Sequence, residues 1–219
     1  MSKKKKIEYQ DVISFKPAPL KVLSDEVTVK TLTDPTYYPI IGMLRRGPMT
    51  VKEIEKEYSK NAKKFGLESK SDKTIYRYLK HLEKHGLIAP AGKRVFFGKT
   101  ATETLFVRTG DMFHFRDFAP EWWDTEPSLQ FAQGIAAATE DLFQDCKLSP
   151  ECVLKIVKLF EEEKEARIRE FVAQDDARVK EFTSVAEFTK IELALQYVGI
   201  FAVLVKYPNI IEKIEECCR

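Results

Sequence analysis

Lysine and arginine supply the most visible chemistry of this chain. In SDKTIYRYLKHLEKHGLI (residues 71–88), Lys73, Arg77, Lys80 and Lys84 recur at three- and four-residue spacing. At about 100° per residue, they share one side of a helix with Tyr76 and His81 at its margins. Ile75, Tyr78, Leu79 and Leu82 share the other side. Only Glu83 interrupts the positive face. Exposed helix faces ordinarily mix signs, because Glu–Lys pairs four residues apart help the helix. A row of one sign repels itself and suits a polyanion, above all a phosphate backbone. An ordinary solvated face is the competing reading of the stripe taken alone.

Little else is spaced for chemistry. His81, His85 and His114 make no metal or nucleophile spacing with Cys, Asp or Glu. No nucleophile elbow or glycine-rich loop is present, so an enzyme is the least supported class, and neither a cofactor nor a metal is expected. Gly98-Lys99-Thr100 resembles the end of a phosphate-binding loop, but five residues separate Gly92 from Gly98 where four are needed, and a strand-like run follows. Cys146, Cys152, Cys217 and Cys218 match no common zinc spacing. Reduced thiols are the expectation in a cytosol. Few Asn and Gln beside many Lys and Glu lean towards a thermophile, where an internal disulfide is less out of place.

The elements that must position the stripe follow from turn and cap signals. Residues 1–20 read as a flexible basic arm, with Lys3 to Lys6 in a cluster and KPAPL extended by its prolines. Ser24 is a candidate cap for a short helix over 25–31. Asp34-Pro35 predicts the start of a second helix, ended by Gly47-Pro48. Thr50 with Glu53 predicts a capping box on a third. Ser71 caps the fourth and Gly86 stops it. Two extended runs, 87–97 and 103–109, predict a β-hairpin with Lys93, Arg94 and Lys99 at a basic tip.

Charge divides the chain. Residues 1–118 carry 24 Lys+Arg against 14 Asp+Glu, a net +10, and residues 119–219 carry 12 against 20, a net −8. The aromatic-rich stretch 113–125 marks the junction between these halves. Beyond it helices are expected over 126–145, 150–174 and, from a Ser184/Glu187 capping box, to about 206. The last is apolar almost all round, which suits the middle of a bundle or a subunit interface. MSKKKK is charged with no apolar segment after it, and YVGIFAVLV (197–205) is too short to span a bilayer. A soluble, cytoplasmic protein with no membrane partner is the expectation.

The fold class is therefore mainly α with a small β-hairpin: a winged helix-turn-helix domain over 21–112, then an all-helical domain over 126–219. In that arrangement the helix 72–85 enters the major groove and the hairpin holds phosphates. LTDPTYYPIIGMLRRGPMTVKEIEKEY and KTIYRYLKHLEKHGLI resemble segments of ArsR-type repressors, and GKTATETLFVRTG resembles the wing of archaeal winged-helix regulators. The resemblance covers about residues 22–112. It departs in the longer SKNAKKFGLESK segment, where Lys60, Lys63 and Lys64 are further candidate phosphate contacts, and it lacks a Cys-x-Cys metal site on the fourth helix.

The resemblance implies a homodimeric, sequence-specific regulator of transcription on double-stranded DNA, with the dimer formed through 120–219. Lys73, Thr74, Tyr76, Arg77, Lys80 and Lys84 are the expected contacts on the helix, with Arg77 best suited to guanine. Lys93, Arg94 and Lys99 are the expected contacts on the hairpin. A small-molecule effector is left open. The alternative is a winged-helix module for protein–protein contact within a larger complex, without sequence-specific DNA binding.

Overall fold

The computed structural model describes residues 8–62, 66, 68–98, 100–116, 118–142, 147–174, 176–184 and 188–217. Lys3 to Lys6, Lys63, Lys64, Lys99, Cys146 and Cys218 lie outside the described residues. The chain divides into two units, Met1–Phe113 and His114–Arg219. It is mainly helical with a small sheet.

Four helices build the first unit: α1 (Glu26–Thr33), α2 (Tyr38–Met43), α3 (Val51–Asn61) and α4 (Asp72–Lys84). Their strands are β1 (Tyr9–Ile13), β2 (Ala18–Leu23), β3 (Met49–Thr50), β4 (Ile88–Phe96), β5 (Thr102–Arg108) and β6 (Gly110–Phe115). One sheet runs in the order β1-β4-β5-β3, and β2 pairs with β6 in a second. The two runs expected at 87–97 and 103–109 are β4 and β5, paired antiparallel with a bulge between Pro90 and Gly92. Ile40, Leu44, Ile54, Tyr58, Ile75, Leu79, Leu82, Leu87 and Leu105 fill the core.

Three expectations are corrected here. The flexible arm over 1–20 does not hold for residues 9–13 and 18–20, which are strands. Residues 9–13 pair with β4, from Tyr9↔Phe96 to Ile13↔Gly92. The first helix is capped by Asp25 rather than Ser24, its carboxylate accepting from the Thr28 amide at 2.8 Å. The second helix starts at Tyr38, with Pro39 in its first turn, because Asp34 closes a turn before it: the Tyr37 and Tyr38 amides bond the Asp34 carbonyl. The capping box on α3 forms as the sequence predicts. Glu53 N–H donates to Thr50 Oγ1 at 3.3 Å, and Thr50 N–H donates to Glu53 Oε2 at 2.9 Å.

The second unit is helical: α5 (Glu126–Leu142), α6 (Pro150–Gln174), α7 (Asp176–Ser184), α8 (Phe188–Lys206) and α9 (Ile210–Cys217). Cys152 is disulfide-bonded, which corrects the expectation of reduced thiols at that position. The aromatics of the junction pack on one another: Phe118 stacks on Trp122 at 4.0 Å, and both rings meet Phe131 of α5. Among the described residues, no single helix is long and apolar enough to cross a membrane. Lys190–Lys206 and Ile210–Glu216 reach that length and composition only together, across a bend of 89°.

Candidate nucleic-acid interface

Helix α4 is fixed at both ends. Ser71 takes the extended conformation of a cap (φ −75°, ψ 160°), but its hydroxyl lies against Thr74 Oγ1 at 3.3 Å and caps no amide. At the other end Gly86 takes φ +64°, a conformation that glycine adopts without penalty. The Gly86 amide bonds the Glu83 carbonyl at 2.9 Å and the Leu87 amide bonds the Leu82 carbonyl at 3.0 Å, a Schellman closure. The Gly86 carbonyl in turn accepts from Lys21 Nζ and Thr109 Oγ1, both at 2.6 Å. Ile75, Leu79 and Leu82 are buried beneath the helix, and Tyr78 meets Tyr37 edge-on. The helix cannot roll without breaking this anchor, so its outer face is set.

That outer face carries Lys73, Tyr76, Arg77, Lys80 and Lys84, all exposed, with Thr74 half-buried. Lys80 is partly neutralised by Glu83 at 2.7 Å. Arg77 Nη2 donates to Thr74 Oγ1 at 3.3 Å, which steadies the guanidinium, and no ion pair joins it to a described residue. Two grooves border the helix. One, of about 680 Å³, lies at its start between Val51 of α3 and Ser71, Lys73, Thr74 and Arg77. The other, of about 630 Å³, is floored by Val12, Val95 and Phe106, with Tyr76, Lys80 and Lys93 around it.

Of the hairpin residues, Lys93 is exposed but lies within β4, opposite Val12 and Thr104, rather than at the tip. Lys99 lies outside the described residues. Arg94 is a correction. It is 7 % exposed, and its Nε and Nη2 bond both carboxylate oxygens of Asp11 at 2.7 and 2.8 Å. Its Nη1 bonds Glu53 Oε1 at 2.5 Å, and its guanidinium lies 4.0 Å from the centre of the Tyr9 ring. Those bonds hold its charge more firmly than that of an ordinary arginine. Buried, with Nε, Nη1 and Nη2 each bonded to a carboxylate, this guanidinium is committed to the protein rather than presented to a phosphate. Glu53 thus serves two elements, capping α3 with one oxygen and holding β4 with the other. Asp11, Tyr9 and Val12 were not legible as site residues, because their partners lie more than 80 residues away.

The second unit holds a separate ionic cluster. His114 Nε2 meets Glu165 Oε1 at 3.0 Å, and longer contacts join His114 to Glu192 at 3.5 Å and Arg116 to Glu165 at 3.4 Å. Burial alone would push the imidazolium down, but Glu165 and Glu192 hold it up at about 9. Burial likewise raises Glu165, and His114 and Arg116 outweigh it, leaving the carboxyl below its usual range. Among the described residues no group of three or more His, Cys, Asp or Glu is placed to hold a metal ion.

No protein-family model matches the chain. No curated protein matches it. One similar solved structure is that of Bacillus subtilis PadR in complex with operator DNA, 16% identical, spanning 84% of this chain and 96% of that one, with a TM-score of 0.31.

Proposed function

We propose that the chain is a DNA-binding regulator of transcription that reads double-stranded DNA through α4 and acts as a homodimer. The observation that carries the reading is the outer face of α4. Lys73, Arg77 and Lys84 stand exposed on a helix locked over its core, and none of them forms an ion pair with a described residue. The order α2, α3, α4, β4, β5 is that of a winged helix-turn-helix, in which such a face enters the major groove. Lys73, Thr74, Tyr76, Arg77, Lys80 and Lys84 are the proposed contacts, with Arg77 reading guanine and Lys93 on phosphate. The ArsR-type resemblance of residues 22–112 supports the same class.

A dimer suits the reading, because two half-sites need two copies of α4. Helix α8 supports it: Leu193, Tyr197, Val198, Ile200, Phe201, Leu204 and Val205 are all at least 40 % exposed. A standard interface buries roughly 800 Å² per partner, and a row of seven large apolar side chains supplies area of that order.

The test is binding to a labelled random duplex across a salt series, beside a Lys73→Ala/Arg77→Ala/Lys80→Ala variant. The expected result is a steep fall of log affinity with log salt in the parent and loss of binding in the folded variant. Weak, salt-insensitive binding that is identical in both proteins would overturn the reading and favour the protein-interaction alternative.

A further inference from the structure

Strand β5 ends in four buried residues, Leu105 to Arg108, and the last of them is a cation. Arg108 is 7 % exposed. Its Nε is sealed from solvent without a hydrogen-bond acceptor, and no hydrogen bond or ion pair joins its guanidinium to a described residue. Nη1 and Nη2, at the tip of the fork, are not sealed in this way. The Phe113 ring of β6 lies 4.7 Å from the guanidinium carbon and supports it as a cation–π partner.

The charges around Arg108 do not neutralise it. Arg45, exposed in the short helical turn Leu44–Arg46 that follows α2, acts on it with the same sign. Burial, reinforced by Arg45, brings Arg108 down to about 10, and Asp111 and Tyr38 offset only part of this. Asp111 is exposed and forms no ion pair with it. The same unit treats its other buried arginine differently: Arg94, also 7 % exposed, has Asp11 and Glu53 on its three nitrogens. A buried charge is costly unless it is paired, and an apolar side chain fills such a position without that cost. A guanidinium kept there, with its fork open and a second guanidinium near it, is short of an anion.

We propose that Arg108 and Arg45 form an oxyanion-binding site, occupied by the carboxylate or phosphate group of a small molecule, which the two Nη groups of Arg108 hold side by side and Arg45 meets from the surface. The site goes beyond recognition of DNA. Arg108 pairs with Ile88, at the end of the β4–β5 ladder remote from the hairpin turn.

The experiment titrates the full chain with sodium phosphate and, separately, with sodium acetate, at an ionic strength held constant with chloride. Nuclear magnetic resonance follows the backbone amides of residues 44–46 and 108–111. Three variants are run beside the parent: Arg108→Met, which keeps the apolar stem and removes the fork, Arg45→Ala, and Arg46→Ala. Arg45 and Arg46 are both exposed, so their variants keep the test decisive should Arg108→Met fail to fold. Arg46→Ala removes an equal charge at the adjacent position and is the control. Saturable binding of at least one of the two anions is expected, and which one binds names the group. Arg108→Met should weaken it at least about tenfold, the factor that one hydrogen bond to a charged group supplies. Arg45→Ala should weaken it about threefold, as for an exposed charge, and Arg46→Ala should leave it unchanged. A parent that binds neither anion saturably would overturn the proposal and leave Arg108 as a strut on Phe113. Equal weakening in Arg45→Ala and Arg46→Ala would overturn it too, because net charge alone would then account for the binding. So would a lowered salt slope of duplex binding in Arg108→Met without any anion titration in the parent, which would assign the site to the DNA backbone.

Discussion

Lys93 and Arg94 are neighbours on β4, yet the structure gives them opposite work. Replacing each with alanine should separate stability from binding. Arg94→Ala leaves the Asp11 and Glu53 carboxylates facing each other without their shared cation. Removing one member of a fully buried pair costs roughly 3–5 kcal/mol. Here the Asp11 and Glu53 side chains keep 30 % and 39 % exposure and can rehydrate, which lowers the expected cost to about 2 kcal/mol. With a urea slope of roughly 1–3 kcal/mol/M, the midpoint should fall by about 1 M. Circular dichroism would follow the transition, and amide exchange would report on β1, which should lose protection first.

The pH dependence of stability provides a second readout. The Arg94 hydrogen bonds hold Asp11 below its ordinary value. Burial pushes Glu53 up, but the Thr50 amide and Arg94 outweigh it and hold it below its own. Depressed carboxyls contribute stability above their ordinary values, and that contribution is lost as pH falls through the folded ones. The acid-side loss should therefore shrink in Arg94→Ala. Lys93→Ala should leave urea and acid unfolding unchanged and reduce the salt slope of DNA binding by about 0.9. An Arg94→Ala protein as stable as its parent would refute the clamp.

The second unit supports two further expected outcomes. His114, held at about 9 by its two glutamates, should contribute stability that is fully present below its ordinary value near 6.5 and lost as pH rises through about 9. His114→Gln should flatten that alkaline loss, on the order of 3 kcal/mol, in unfolding curves taken between pH 6 and 10. Phe201→Asp with Val205→Asp changes side chains that are 64 % and 83 % exposed in the single chain. The variant should keep its helicity and sediment as a monomer where the parent sediments as a dimer. A dimeric variant would move the interface away from α8.

Local signals carried much of the first unit. Thr50/Glu53, the period of Ile75, Leu79 and Leu82, and the stop at Gly86 each act within a few residues, so sequence spacing reports them directly. Strand β1 has no such signal: YQDVI alternates weakly, and its partner lies 83 residues away at Arg94. The bulge between Pro90 and Gly92 also breaks the two-residue alternation that would have separated Lys93 from Arg94. On α6, Glu163 and Arg167, and Glu165 and Arg169, stand four residues apart, the spacing of ion pairs on a solvated side. Glu163 does pair with Arg167 at 2.8 Å, but both glutamates are buried. Glu165 turns to His114 rather than Arg169. A pattern along one helix cannot report the charged residue that a distant element brings against it.

The attachment of β1 to β4 sets an order of events during synthesis. The first strand to leave the ribosome has no partner until residues 92–96 have followed it, and the loop so closed is the costliest in the sheet. Helices α1 to α4 and the β4–β5 hairpin need only nearer contacts, so they can assemble before β1 docks. Strand β1 is then the last piece of the sheet to dock and the first to leave under stress.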